Sequence, residues 1–160
     1  MASRGEFNRA KYPPLVEGNT QQLVIKVLND LRLNGFDIWL MGGWAEELQG
    51  LRPSGLHRDI DTVLLANGFT IFDAFLAESA WPEVAVKRLP HKRAFLCEGV
   101  LVEVCLACKS KGTRVTNIWG YEFRWPGSSF EKPVGILPMV SVAALQAYRG
   151  EHDVFLPKHE

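Results

Sequence analysis

Two short apolar runs, each with polar punctuation at one end, constrain this chain more than any other feature. Phe36-Asp37-Ile38-Trp39-Leu40-Met41 runs straight into Gly42-Gly43. Asp59-Ile60-Asp61-Thr62-Val63-Leu64-Leu65-Ala66 opens on two acids and continues apolar. Both runs have the length and side chains of strands. Asp59 and Asp61 are separated by one residue at a strand start, so their carboxylates share a face while Ile60 points into the core. Carboxylates placed side by side repel unless a cation lies between them, and oxygen donors of this kind favour Mg²⁺ or Mn²⁺. The Gly pair follows a strand and opens a helix, so bare amides there can approach a phosphate closely. Singly, each feature is common: most D-x-D pairs are solvated loop acids or helix caps, and many turns contain Gly-Gly. Their order and spacing within residues 41–65 are far more specific.

The remaining elements fit around this pair. From Thr20 to Asn34, Leu23, Val24, Val27, Leu28 and Leu31 recur at helical spacing, with Thr20 as N-cap and Asn34-Gly35 as the stop. A short helix from Trp44 to Gln49 closes at Gly50, and a loop leads to the acidic strand. Residues 70–79 predict a helix with Ile71, Phe72, Phe75 and Leu76 on one face. The second half is mostly extended: strands are expected at 83–90, 93–99 and 100–109, the last two joined by a tight turn at Glu98-Gly99, then a hairpin over 113–125. Residues 137–150 predict a final helix, capped by Ser141 and stopped by Gly150. With no repeat and no linker, the expectation is one α/β (α+β) domain over 15–160 with a mixed sheet packed with helices, preceded by a flexible tail at 1–14.

Composition limits the partners. The 160 residues are 47% hydrophobic and 22% charged, the balance of a globular protein with one real core. Eighteen basic residues match eighteen acidic ones, so nothing electrostatic favours nucleic acid, and a polyanionic substrate must be held locally or through metal ions. No run approaches the roughly 20 apolar residues of a membrane span. Residues 1–14 lack the apolar core of a secretion signal, so the expected compartment is the cytoplasm. Cys105 and Cys108 have the spacing of a metal or redox pair. On a strand, however, residues three apart face opposite ways, and no second pair exists, so they and Cys97 read as structural thiols.

Gly42-Gly43-Trp44-Ala45, the Gly that ends the short helix, and His57-Arg58-Asp59-Ile60-Asp61 together resemble the nucleotidyltransferase superfamily, most closely its aminoglycoside and lincosamide nucleotidyltransferases. The resemblance is sharp in 41–65 and extends over about 20–150 in element order. It implies a nucleotidyltransferase-like domain with a polymerase-β-like core, phosphate binding by Gly42 and Gly43, and metal binding by Asp59 and Asp61. It also implies a third carboxylate on a neighbouring strand, sharing a metal and able to act as base. Glu103 is the lone acid in the apolar run 100–107 and would be costly to bury without a partner. On the opposite register, with Val102, Val104 and Leu106 as the buried face, it would point to water.

Other residues complete the candidate set. His57 is placed to orient Asp59 or touch a phosphate, or else is a solvated loop histidine. Lys92 and Arg93 lead into the third-carboxylate region and are candidates to neutralise a triphosphate, or are plain surface. Trp119, Tyr121, Phe123 and Trp125 alternate, giving one aromatic strand face suited to core packing, a dimer contact or ring stacking. The chain departs from the family pattern at Glu103, where Asp is usual, and at Gly55, where an Arg is usual. It also ends ten residues after Gly150, so acceptor recognition falls to a second subunit of a homodimer or to the loops around Trp119–Trp125. The implied activity is Mg²⁺-dependent transfer of a nucleoside monophosphate from a nucleoside triphosphate to a small-molecule hydroxyl, such as that of an antibiotic. The rivals are a non-catalytic nucleotide-binding or interaction protein of the same fold, and an enzyme that nucleotidylates protein or RNA.

Overall fold

The computed structural model describes residues 17–131 and 137–155; the tail expected at 1–14 lies outside them. Helix α1 (Gln21–Leu33) leads to β1 (Ile38–Met41), α2 (Gly42–Leu48), β2 (Asp59–Leu65) and α3 (Thr70–Glu78). A 3₁₀ turn (Ala85–Lys87) precedes β3 (Lys92–Cys97), β4 (Val100–Ser110), β5 (Thr113–Ile118) and β6 (Tyr121–Arg124), and α4 (Val142–Phe155) follows. The six strands form one mixed sheet in the order β1-β2-β4-β5-β6, with β3 added to β4. Among the six named strands, β2 and β4 pair in parallel and the other pairs are antiparallel. Among the described residues, no helix is long and apolar enough to cross a membrane.

Local chemistry explains the element ends. Thr20 Oγ1 accepts from the Leu23 amide at 3.3 Å, capping α1, and Gly35 turns the chain out of it at φ +88°. Ser141 Oγ accepts from the Ala144 amide in the same way at the start of α4. That helix runs through Gly150 to Phe155, because a glycine lowers helix propensity by only about 1 kcal/mol and does not itself stop a helix. The segment before it is extended, with residues around Met139 laid along the free edge of β1: Leu40 donates to Pro138 O at 2.8 Å and Val140 to Leu40 O at 2.9 Å.

Two further expectations change. No strand spans 83–90; Glu83 makes a single bridge to Phe95, and the chain then tightens into the 3₁₀ turn. Isolated apolar alternation there reflects a segment crossing the sheet edge. Ile71 does not join the buried face of α3: it is 78% exposed, whereas Phe72 is 1% exposed. The 3.6-residue period puts Phe72, Phe75 and Leu76 on the sheet and swings Ile71 by 100° toward solvent.

Core residues pack on both faces of the sheet, and helix α1 covers one of them. Buried α1 residues Val24, Val27, Leu28 and Leu31 join Ile38, Ile60, Phe95, Val102 and Val104 in one cluster. Phe72 sits among Phe36, Phe75, Phe69 and Phe95, with ring centroids between 5.3 and 6.4 Å. The other face is closed at one end by α4: Tyr148 stacks on Trp125 at 5.2 Å and meets Phe123 edge-on. Phe123 and Trp125 are thus core, as one option for the aromatic strand required, while Trp119 falls in the β5–β6 turn and is 53% exposed. We expect Phe72→Ala to cost about 3–5 kcal/mol in urea unfolding, and Ile71→Ala to stay within about 0.5 kcal/mol of the parent.

Candidate active site

The site is built by strand register. In the parallel pair β2–β4, Asp59 stands beside Leu101 and Asp61 beside Glu103. Partners in register share a face, so the acidic side of β2 and the lone acid of β4 emerge together, while Ile60, Val102 and Val104 go to the core. One carboxylate oxygen from each of Asp59, Asp61 and Glu103 lies within 4.8 Å of the others. They line a cleft of about 490 Å³ together with Met41, Gly42, Glu46, Lys87, Lys92 and Cys105, and with Trp119, Leu145, Tyr148 and Arg149 across it. Arg149 donates to Glu46 at 2.9 Å, tying α4 to α2 over the cleft.

Charge is distributed unevenly within the cluster. Burial, followed by the neighbouring Glu103 carboxylate, raises the pKa of Asp59. Burial and then Asp59 raise that of Asp61 well above the usual carboxylate range. Glu103 goes the other way. Burial pushes it up, but Lys92 and Lys87 overcome that and hold it at about 2. Lys92 Nζ is 2.6 Å from Oε2 and Lys87 Nζ 2.9 Å from Oε1. So paired, Glu103 is a persistent anion and a weak base. The set of three oxygen donors, two of them strained by mutual repulsion, fits a hard divalent cation held by Asp59 and Asp61.

Lys92 and Arg93 are separated by the pleat. Lys92 stands opposite Cys105 of β4, on the acidic face and diagonal to Glu103. Arg93 stands opposite Val104 on the core face. There its guanidinium forks onto Asp73 at 2.7 and 3.0 Å and lies 4.3 Å from the Phe69 ring, so the structure does not bring it to the cleft. Lys87 takes the second basic position, and the sequence offered no sign of it, because the 3₁₀ turn that delivers it read as a strand.

The ring of His57 is also turned away from the carboxylates. It lies 4.2 Å from the Trp44 ring, with Nε2 3.1 Å from Glu47 Oε1. The His57 and Asp59 main chains are tied together by a third residue. Buried Asn19 donates from Nδ2 to both His57 O and Asp59 O at 2.9 Å, and its Oδ1 accepts from Trp44 Nε1 at 2.9 Å. This one amide fixes the start of α1, the loop before β2 and the first turn of α2. Asn19 beside the Thr20 cap reads in sequence only as a turn residue.

The two glycines have different neighbours. Gly42 lines the cleft at φ +65°, and a Cβ there would sit 2.3 Å from Asp61 Oδ2. Gly43 is packed from the other side: a Cβ would fall 2.9 Å from Arg52 Nη1 and 3.0 Å from His57 Nδ1. We expect Gly42→Ala to cost about 1–2 kcal/mol from its left-handed backbone alone, and in addition to displace Asp61 and weaken divalent-metal binding. Gly43→Ala is expected to leave metal affinity unchanged. Urea unfolding with chelator and calorimetric metal titration on each variant check this.

The pKa directions fix a pH dependence. Asp59 and Asp61 bind protons more tightly folded than unfolded, so metal-free stability falls as pH rises from the usual carboxylate range through their raised folded values. The Glu103 contribution runs oppositely, being lost only as pH falls from 4.5 toward about 2. In chelator at pH 7, Asp61→Asn should therefore melt higher than the parent, by about 2–4 °C for each kcal/mol relieved. Adding Mg²⁺ should raise the parent's melting temperature and not the variant's.

No protein-family model matches the chain, and no curated protein matches it by sequence. Solved structures do. The lincosamide antibiotic adenylyltransferase LnuA, bound to lincomycin, superposes with a TM-score of 0.66 at 16% identity, over 88% of each chain. ANT(2")-Ia in complex with adenylyl-2"-tobramycin gives 0.60 at 17% identity, over 87% of this chain and 79% of that one. The solution structure of ANT(2'')-Ia, an antibiotic-resistance factor, gives 0.62 at 17% identity, over 87% and 75%. The chain therefore has the fold of these nucleotidyltransferases.

Proposed function

We propose that this protein transfers a nucleoside monophosphate from a nucleoside triphosphate to a hydroxyl of a small molecule, an antibiotic being the acceptor class to test first. The observation that carries this is the convergence of Asp59, Asp61 and Glu103 at the floor of an open cleft within this fold. Asp59 and Asp61 would hold Mg²⁺ or Mn²⁺. A divalent ion there would neutralise charge on the phosphate while the acceptor hydroxyl gives up its proton to water, its oxygen bonds to the α-phosphorus, and the α–β phosphoanhydride bond breaks to release pyrophosphate. Gly42 has no side chain on the cleft wall and gives that space to the Asp61 carboxylate, and its bare main chain, with Gly43 next to it in the first turn of α2, is open to a phosphate. Lys92 and Lys87 add positive charge at the same wall. The apolar and aromatic side across the cleft, Leu145, Tyr148 and Trp119, is suited to an acceptor with ring surface.

A second reading has its own observation. The two ammonium groups on Glu103 disarm it as a base, as expected of a nucleotide-binding protein that has lost turnover. One assay separates the two. The full chain is incubated with Mg²⁺ and each α-labelled nucleoside triphosphate, against a panel that includes lincosamides and aminoglycosides. Label transfer is expected with at least one acceptor, and Asp59→Asn and Asp61→Asn should each reduce its rate about 1000-fold, the equivalent of several kcal/mol of lost charge stabilisation. Triphosphate binding without transfer to any acceptor would favour the binding protein.

A further inference from the structure

Both oxygens of Glu103 are already held by cations, and both cations belong to the chain. Lys87 Nζ approaches Oε1 at 2.9 Å and Lys92 Nζ approaches Oε2 at 2.6 Å, distances of short charge-assisted bonds. The lysines arrive from separate elements, one from the 3₁₀ turn and one from β3. Both line the cleft with the acids they face. Two ammonium groups carry the charge of one divalent ion. With them in place, the three carboxylates retain a single net negative charge, too little to draw in two such ions. A second ion on Glu103 would have to displace an ammonium and then sit beside it against like charge.

We infer that the site takes one divalent cation, at Asp59 and Asp61, and that Lys87 and Lys92 stand in for a second. This rests on the metal-dependent reading above. The lysines then have a defined part in binding. Each ammonium has three N–H donors and spends one on Glu103, so others remain for phosphate oxygens entering the cleft. Glu103 acts as a positioning residue, holding two positive charges in place without touching metal.

Mn²⁺ binding to the full chain, counted by electron paramagnetic resonance and by calorimetry, tests this without reference to activity. One Mn²⁺ per chain is expected for the parent, and two for the double variant K87M/K92M. The single variants Lys87→Met and Lys92→Met keep one ammonium on Glu103 and guard against loss of fold in the double variant. Each should bind the first ion on the order of tenfold tighter, the effect of removing one nearby like charge. Two ions on the parent would overturn the substitution while leaving the metal-dependent reading intact. So would single variants with native circular dichroism and unchanged affinity. No Mn²⁺ on the parent or any variant would take down both readings.

Discussion

Everything at the cleft depends on the parallel register that sets Asp61 beside Glu103. A parallel pair presents matched residues to one face, so two strands distant in sequence deliver three carboxylates to one spot. The sheet around it must then supply what those charges need. β3 adds antiparallel to the far edge of β4, and its offset of two residues brings Lys92, not Arg93, diagonal to Glu103. The same pleat sends Arg93 to the core face, where a buried guanidinium is tolerable only because Asp73 meets it with two bonds. A one-residue slip of β3 would turn Arg93 to the acidic face and Lys92 to the core face, taking each from the acid it now meets.

The glycine at the end of β1 belongs to the same constraint. Met41 pairs with Asp61, and the chain must turn into α2 at the next residue without covering that carboxylate. Only a residue with no Cβ, free to adopt φ +65°, turns there while leaving Asp61 open to the cleft. Asn19 then locks the geometry from behind by bonding the main chain on both sides of Arg58, at His57 and Asp59, and the Trp44 indole. The acids are therefore placed on rigid elements with satisfied backbone, as a preorganised site requires.

Much of this was legible in the sequence because it depended on local periodicity. Alternation put Asp59 and Asp61 on one face, and a lone acid in the apolar strand 100–107 marked Glu103. The α1 stripe and its Thr20 cap follow the same logic. What was not legible required knowing which strands are neighbours. Lys92 and Arg93 part because β3 begins at Lys92, one residue before the expected strand, so the pleat sends them to opposite faces, and Lys87 depends on a 3₁₀ turn in a segment whose alternating Val84 and Val86 imitate a strand. His57 sits in a motif that suggests contact with the acids, yet Trp44 and Glu47, both nearby on α2, capture its ring. Helix phase explains Ile71: its neighbours are apolar too, so composition alone does not reveal which of them faces out.

The lysine pair also bears on why Glu103 is longer than the two aspartates it faces. Asp59 and Asp61 lie on strand β2 and must stay short to keep their oxygens near the sheet, where Gly42 leaves room for the Asp61 carboxylate. Glu103, with one more methylene, reaches past the strand edge far enough for each oxygen to meet a different lysine from a different element. An aspartate there would draw its oxygens back toward Asp61, increasing repulsion within the cluster and stretching both ammonium bonds. The longer acid thus divides the site in two: an aspartate pair short of positive charge, and a glutamate already supplied with it. Identity at position 103 and the presence of Lys87 and Lys92 are therefore a single structural choice.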